Sequence, residues 1–170
     1  MPIIQPTTTG RSSPQESPPD ALQLLMTEHR EVKAMFQQYQ KLADAGGKGD
    51  ERMLLASQIC VALALHTQVE EEILYPAARE ALTSDEDIVD EAYVEHAGAK
   101  TLIAQLKTMT SDQPLFDAKV KVLGEYIDHH VKEEESEFFP KLRRTALDLE
   151  ALGERIAQRK RQLMAMPEPS

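Results

Sequence analysis

Hydrophobic residues recur every three or four positions through four stretches of this chain, which is the period of one face of an α-helix. The stretches follow Asp20, the Gly-rich turn at 46–50, the polar segment near residue 84 and the Pro-containing turn at 111–114. Their apolar stripes comprise Leu22, Leu25, Val32, Phe36 and Tyr39; Leu55, Ile59, Ala62, Val69 and Ile73; Val89, Ala92, Ala99, Ile103 and Leu106; and Phe116, Val120, Leu123 and Ile127. The pattern predicts four amphipathic helices, and Asp20 is a suitable N-terminal cap for the first.

Each predicted helix also places one histidine in its apolar stripe, and two of the helices place a glutamate there as well. The histidines are His29, His66, His96 and His130, and the glutamates are Glu70 and Glu134. Each glutamate follows a histidine by four residues, so the two side chains share one helix face. Taken singly, such pairs are ordinary on solvated helices, and a lone histidine in an apolar stripe is more often a core residue than a ligand.

Two segments of eleven residues, 66–76 and 130–140, repeat the same frame. Each has a histidine, a glutamate four residues later, a second glutamate directly after it, then apolar or aromatic residues and a proline ten residues past the histidine. A Glu-His pair precedes each segment, at 28–29 and at 95–96, so that the paired histidines are 37 and 34 residues apart. A period of this length corresponds to a two-helix unit, and two such units form a four-helix bundle.

The chain outside the bundle differs in composition at its two ends. Residues 1–19 are rich in Pro, Ser and Thr and are predicted to form a disordered tail, followed by the bundle at 20–142. Residues 143–170 are predicted to be a charged helical extension with a loose C-terminus. The helical pattern at 141–164 fits either a prolonged fourth helix or a separate fifth one, and the prolines that end the repeated frames predict a kink or a stop.

Composition limits the classes of function. A chain of 170 residues forms one domain, and the net charge of −10 argues against nucleic acid and anionic membrane surfaces as partners. The single cysteine, Cys60, forms no internal disulfide or thiolate metal site and is expected to be a core residue. The start has no signal-like segment and the chain has no run of 18 apolar residues, so a cytoplasmic location is expected.

The six polar side chains assigned to the bundle interior need a common partner. An unpaired buried carboxylate costs on the order of several kcal/mol, and the bundle offers no inward Arg or Lys that would neutralise both glutamates. A cation is the simplest partner, and imidazole with carboxylate suits Fe, Mn or Zn. Six ligands exceed the four of a tetrahedral zinc site, whereas two metals that share two bridging carboxylates fit the count.

A competing register exists in the second repeat, because His129 and Glu133 are also four residues apart. Only His130 with Glu134 keeps the distance to Pro140 found in the first repeat, continues the apolar stripe of the fourth helix and keeps a second glutamate after the ligand. His129 is therefore expected beside the site or at the helix surface.

The order of these residues resembles the hemerythrin family, specifically the bacterial domains named for their His-His-Glu cation-binding motif. The resemblance covers about residues 21–142 and rests on His29, His66-x-x-x-Glu70, His96 and His130-x-x-x-Glu134, with Tyr-Pro and Phe-Pro endings. It implies an up-down-up-down bundle with two Fe ions in an oxo- or hydroxo-bridged centre, rather than Mn or Zn. It also implies that Glu70 and Glu134 bridge the ions and that the four histidines are terminal ligands.

One position departs from the oxygen-carrying hemerythrins, which have a second histidine four residues after the third-helix ligand. This chain has Lys100 there. Lys100 is interpreted either as a solvated side chain whose stem packs on the bundle or as a cation near a bound anion or peroxide. With one imidazole fewer, one iron would be more open, which argues against simple reversible O2 carriage.

The resemblance implies a non-heme di-iron protein that binds or senses O2, NO or peroxide, so the expected partner is a small diatomic ligand or peroxide. The alternatives are a peroxide-consuming enzyme, an iron donor for iron–sulfur repair, and a metal-free helical interaction module. Repair proteins of this family usually carry a Cys-containing N-terminal region, and residues 1–20 contain no Cys. Two metals per chain make bulk iron storage a poor fit. Oligomeric state and enzymatic activity stay open.

Overall fold

All regular structure in the computed structural model, which describes residues 18–84 and 86–166, is helical. The helices are α1 (Ala21–Asp44), α2 (Gly49–Val69), α3 (Tyr75–Ala81), α4 (Glu86–Leu106), α5 (Phe116–Glu133), α6 (Phe139–Leu142) and α7 (Leu149–Ala165). Helices α1, α2, α4 and α5 form the bundle, in which each packs against two others around a shared core. The predicted all-α four-helix bundle with a helical extension is confirmed. Residues 1–17 and 167–170, where most of the disordered tail and the loose C-terminus were predicted, lie outside the described residues.

The predicted cap at Asp20 forms a reciprocal pair of hydrogen bonds at the start of α1. The Gln23 backbone N–H donates to Asp20 Oδ1 over 2.9 Å, and the Asp20 backbone N–H donates to Gln23 Oε1 over 3.0 Å. Arg143 Nη1 also donates to Asp20 Oδ2 over 3.0 Å, which ties the C-terminal part of the chain to this helix start. Partial burial raises the pKa of the Asp20 carboxyl, but the hydrogen bonds from Arg143 and Gln23 outweigh burial and leave the pKa below its ordinary value.

Asp20→Ala is expected to destabilise the fold by about 1 kcal/mol at pH 7, because it removes the cap and the Arg143 contact. A lowered pKa in the folded state means that the carboxylate contributes fully above the ordinary Asp pKa of 3.8. The contribution is lost as the pH falls through the lower folded pKa. Urea unfolding of both chains from pH 7 to pH 3 should show the difference shrinking, and a difference that does not change with pH would contradict this origin.

In both repeated frames, 66–76 and 130–140, the helical structure continues through the proline. A π-helical turn spans Glu70–Leu74 between α2 and α3, and a second spans Glu134–Phe138 between α5 and α6. In these turns the Tyr75 N–H donates to the Glu70 carbonyl and the Phe139 N–H to the Glu134 carbonyl, five residues back. Each proline then falls at the start of a new α-helical segment, where its missing N–H is tolerated. The predicted stop does not occur, because the widened turn accommodates the proline.

The charged extension forms the separate helix α7. Asp148 caps it by accepting the Ala151 backbone N–H over 2.9 Å, and the segment 143–148 separates it from α6. Leu152 and Ile156 are buried in the apolar core, so α7 packs on its own bundle.

The core consists of two apolar clusters with the polar residues between them. One cluster contains Leu25, Val69, Ala92 and Phe138, and the other contains Val32, Leu63, Ala99 and Ile127. On α1, α2 and α4 the inward histidine lies between a residue of one cluster and a residue of the other, and His130 lies between Ile127 of α5 and Phe138 of the π-helical turn that follows α5. The polar side chains therefore form one layer across the bundle. Of the predicted apolar positions, Phe36 and Ala62 are only half-buried, while Cys60 is buried as expected.

The continuous helical stretch Gly49–Ala81 is long and apolar enough to cross a membrane by length and composition. Half of its most apolar window is buried inside the bundle, and it supplies two of the polar residues in the central layer. Its apolar character is accounted for by its place as a core helix.

Candidate metal centre

The six residues predicted to bind metal meet in the central layer. All are buried, with at most 5% of each residue exposed: His29, His66, Glu70, His96, His130 and Glu134. They come from all four bundle helices and from the first residues of the two π-helical turns. The i,i+4 spacing brings each glutamate under its histidine, and the bundle brings the two repeats face to face.

The histidines form two pairs, each with its Nε2 atoms directed at one point. His29 Nε2 and His66 Nε2 are 3.1 Å apart and define what we call the first position. His96 Nε2 and His130 Nε2, also 3.1 Å apart, define the second position. These pairs each combine one histidine from a Glu-His motif with one from a His-x-x-x-Glu motif.

The two glutamates lie between these positions. Glu70 Oε1 is 3.2 Å from His66 Nε2 at the first position, and Glu70 Oε2 is 3.3 Å from His96 Nε2 at the second. Glu134 Oε2 is 3.4 Å from His29 Nε2 and 3.5 Å from His130 Nε2. Both carboxylates thus face both histidine pairs, which is the placement that a bridging ligand needs.

The other ring nitrogen of every histidine in the layer meets a carboxylate. The Nδ1 contacts are His29 with Glu135 at 2.9 Å, His66 with Glu28 at 2.7 Å, His96 with Glu71 at 3.0 Å, and His130 with Glu95 at 2.7 Å. An ionised carboxylate only accepts, so each contact places the imidazole proton on Nδ1. The Nε2 lone pairs then point into the layer, as in the carboxylate–histidine–metal arrangement.

These four outer carboxylates have no role in the sequence prediction, although the repeat contains them. Glu28 and Glu95 directly precede the lone histidines, and Glu71 and Glu135 directly follow the inward glutamates. The first pair binds histidines of its own half of the chain, and the second pair binds histidines of the opposite half. The arrangement therefore follows the duplication, and the kept Glu-His and Glu-Glu dipeptides are the signal that marks it.

The buried carboxylates of the layer require positive charge beside them. Both oxygens of Glu70 and Oε2 of Glu134 are buried without a hydrogen-bond partner among the described residues. Burial opposes charge on His66, but Glu70 and Glu28 outweigh burial and raise the pKa of His66 to about 10. Burial likewise opposes charge on His130, yet Glu134 and Glu95 raise its pKa to about 9. Protons on these imidazoles, or metal cations in their place, supply the positive charge, and the imidazole and carboxylate donors of this set fit metal cations.

Tyr75 distinguishes the second position from the first. Its buried hydroxyl donates to Glu134 Oε1 over 2.9 Å and lies 3.1 Å from His96 Nε2. The equivalent residue of the other repeat is Phe139, whose ring stacks on His29 at a centroid distance of 5.9 Å. One position therefore has a phenol beside it and the other a phenyl ring. The Tyr-Pro and Phe-Pro endings show this difference in the sequence, but the sequence prediction gave it no role.

Tyr75→Phe is expected to destabilise the metal-free chain by about 1–2 kcal/mol, because Glu134 Oε1 loses its donor in a buried site. Tyr93→Phe is the matched control, since the Tyr93 hydroxyl makes only a 3.4 Å contact with the Glu71 carbonyl. Urea unfolding should show a loss for Tyr75→Phe and less than about 0.5 kcal/mol for Tyr93→Phe. Equal losses would show that the Tyr75 hydroxyl has no special partner.

The structure gives defined contacts to Lys100 and His129, whose roles the sequence leaves open. Lys100 Nζ donates to both oxygens of Glu71 over 2.6 Å, so Lys100 is an ion-pair partner of an outer carboxylate. The His129 side chain is 63% exposed and lies 3.2 Å from Glu133 and 3.4 Å from Glu95. The alternative register is therefore not the one turned into the layer.

Comparison with known families agrees with this geometry. Residues 20–142 match the Hemerythrin HHE cation binding domain. The chain belongs to the hemerythrin HHE family. This confirms the resemblance read from the sequence, and the family description together with the buried His and Glu clusters indicates a metal-cation-binding domain.

The relatives of this HHE domain differ in length. A DNA nickase from Nostoc sp. is 29% identical over 120 residues, which is 71% of this chain but 32% of the nickase. The chain thus spans about a third of that relative. The uncharacterized protein Rv2633c of Mycobacterium tuberculosis is 24% identical over 151 residues, 87% of this chain and 89% of that protein.

A solved structure supports the fold of the HHE domain. The crystal structure of an HHE domain-containing Rv2633c homolog from Mycobacterium kansasii superposes with a TM-score of 0.68 at 21% identity. It covers 85% of this chain and 87% of the other. The superposition includes more of the chain than the family match, and it establishes the helical architecture alone.

Proposed function

We propose that this HHE domain binds two iron ions in the central layer, one at each histidine pair, with Glu70 and Glu134 between them. The observation that carries the proposal is the set of three orphaned carboxylate oxygens beside four Nε2 atoms whose Nδ1 partners are already in place. Two cations would satisfy all of these atoms at once. The ligands His29, His66, Glu70, His96, His130 and Glu134 are those that the sequence predicts.

Iron is favoured by the composition of the donor set. Imidazole and carboxylate suit iron, and six ligands with two shared exceed what tetrahedral zinc takes. The shared set leaves each ion short of six ligands, so open positions remain for a small molecule. When bound, iron supplies redox activity and these open positions.

The room beside the layer suits a small ligand. A cavity of about 10 Å³ lies against His29, His66 and His130 and is otherwise walled mainly by apolar residues such as Val32 and Ile127. Such a cavity has room for about one water-sized molecule, so a larger organic substrate would require its walls to move apart. We infer that the protein binds or senses O2, NO or peroxide in the cytoplasm.

A peroxide-consuming enzyme is the second candidate, and the Tyr75 hydroxyl favours it. This hydroxyl donates a hydrogen bond to Glu134 Oε1 within the layer, and burial together with Glu134 raises its pKa, so the phenol stays protonated. A fixed hydrogen-bond donor of this kind would stabilise the negative charge that develops on oxygen when an O–O bond breaks. The net charge of −10 gives no reason to carry over a DNA activity from the nickase.

Elemental analysis with an optical spectrum tests both candidates. The chain purified with added iron should hold two Fe per chain, and its spectrum should change reversibly with O2 or NO if it is a sensor. Evolution of O2 from peroxide would favour the enzyme instead. A chain that binds no iron under these conditions would contradict the proposal, and a preference for Mn or Zn would contradict the choice of metal.

A further inference from the structure

Helix α7 contacts the metal centre although it lies outside residues 20–142, the part that matches the family. Its Lys160 forms an ion pair with Glu28 Oε1, while Glu28 Oε2 accepts the Nδ1–H of His66 over 2.7 Å. The neighbouring Arg159 forms a second ion pair, with Glu72 of the first π-helical turn, over 2.6 Å. A continuous chain of contacts therefore runs from α7 to the first position.

The same construction occurs at the second position with a lysine from a different helix. Lys100 on α4 donates to both oxygens of Glu71, and Glu71 accepts the Nδ1–H of His96 over 3.0 Å. Lys100 and Lys160 are not equivalent in the duplicated frame, because α7 has no counterpart in the first half of the chain. Each position nonetheless has one imidazole whose carboxylate is held by a lysine.

The number of negative charges around the layer explains why two lysines are present beside it. Six carboxylates face or support the centre: Glu28, Glu70, Glu71, Glu95, Glu134 and Glu135. Two divalent cations balance four of these charges when the imidazoles are neutral, and the two ammonium groups balance the remaining two. A centre without the lysines would keep uncompensated negative charge in a partly buried region.

Burial makes the Lys160 contact more than a surface ion pair. The side chains of Lys160 and Glu28 are 19% and 21% exposed. A carboxylate with one oxygen on an imidazole and the other on a fixed cation has little freedom to swing into solvent. The His66 ring is then held with Nε2 toward the first position, which is the orientation that ligation requires.

We propose that Lys160 and Lys100 are positioning residues for the two metal positions, so that α7 is a functional part of the centre and not only a cover for the core. The inference rests on the proposed two-metal site. It assigns Lys160 to retention of the ion at His29 and His66, and Lys100 to retention of the ion at His96 and His130.

The test compares the full chain with Lys160→Met, Lys100→Met, the double variant and Lys160→Arg. Lys33→Met is the matched control, because Lys33 makes an exposed 3.6 Å ion pair with Asp128, which contacts no histidine of the layer among the described ion pairs. Each chain is loaded with Fe(II) under anaerobic conditions, and transfer of iron to an excess of chelator is followed by absorbance. Circular dichroism melting of the metal-free chains reports fold stability separately.

Loss of a residue that hydrogen-bonds to a metal ligand and orients it lowers metal affinity by roughly tenfold or more. Each lysine lies one contact further from the metal, so its removal should speed iron release by about three- to tenfold. We expect Lys160→Met to accelerate the release of one of the two ions and leave the other unchanged. Lys100→Met should also accelerate one ion, the double variant both, and Lys160→Arg should restore much of the slow release. Lys33→Met should match the unaltered chain.

Release rates for Lys160→Met equal to those of Lys33→Met would overturn the inference while leaving the two-metal site intact. Equal acceleration of both ions together with a lower melting temperature would also overturn it, because that result indicates general loosening of the bundle. An unaltered chain that binds no iron would contradict the two-metal site itself, and the inference with it.

Discussion

Glu70→Ala is expected to remove both metal ions, since the two oxygens of this carboxylate lie beside different metal positions. Oε1 lies 3.2 Å from His66 Nε2 and Oε2 lies 3.3 Å from His96 Nε2. Iron content should fall from two ions per chain to nearly none. Iron at about 100 times its dissociation constant stabilises the folded chain by about 2.7 kcal/mol, which is roughly 5–10 °C in melting temperature for a chain of this size. The variant should lose that gain.

Two further variants make this result specific. Glu72→Ala changes a glutamate of the same run that pairs with Arg159 and is turned away from the layer, so both ions should remain. His130→Ala should weaken mainly the second position and lower the iron content by about one ion. Elemental analysis and melting with and without iron measure all three. If Glu70→Ala kept full iron occupancy, the assignment of the bridging ligands would be wrong.

The inward layer is predictable from the sequence because two periods coincide in it. The helical period places His66 and Glu70 on the apolar face, and the duplicated frame places His130 and Glu134 there again. The cost of burying such groups alone then requires a cation. No knowledge of which helices are neighbours is needed for this step, since all inward positions meet in a four-helix bundle.

The outer carboxylates are harder to predict, because their partners depend on the order of helices around the bundle. Glu28 precedes His29 by one residue and so points about 100° away from it around α1. Whether that direction meets His66 depends on α2 lying on that side, which hydrophobic periodicity does not specify. The duplication does preserve Glu28 and Glu95 as a pair, so the motif is visible in the sequence even though its partners are not.

The path of the chain after the second repeat is also undetermined by periodicity. Segment 143–148 contains neither Gly nor Pro, and a prolonged helix fits its pattern as well as a break does. The break forms where the Thr145 hydroxyl donates to the Leu142 carbonyl over 2.7 Å and where Asp148 caps the next helix. Side-chain hydrogen bonds of this kind compete with the helical backbone, and tertiary packing of α7 decides the outcome.

Gly153→Ala is expected to destabilise the chain by about 1–3 kcal/mol, although alanine is the better helix former by about 1 kcal/mol. A Cβ at this position would lie 2.8 Å from the Ala21 backbone nitrogen and 3.0 Å from the Pro19 carbonyl oxygen. These are backbone atoms at the capped start of α1, so they do not rotate aside as a side chain would. The added methyl group must push α7 away from the bundle.

Gly98→Ala on α4 is the matched control for Gly153→Ala. Its Cβ would lie 3.5 Å from the Tyr126 ring, which is ordinary contact, so the helix propensity should dominate and stabilise the chain by up to about 1 kcal/mol. Urea and thermal unfolding of the metal-free chains should therefore show opposite signs for the two variants. Stabilisation by both would mean that α7 does not press on α1. Because displacement of α7 also withdraws Lys160 from Glu28, Gly153→Ala should hasten iron release as well, which Gly98→Ala should not.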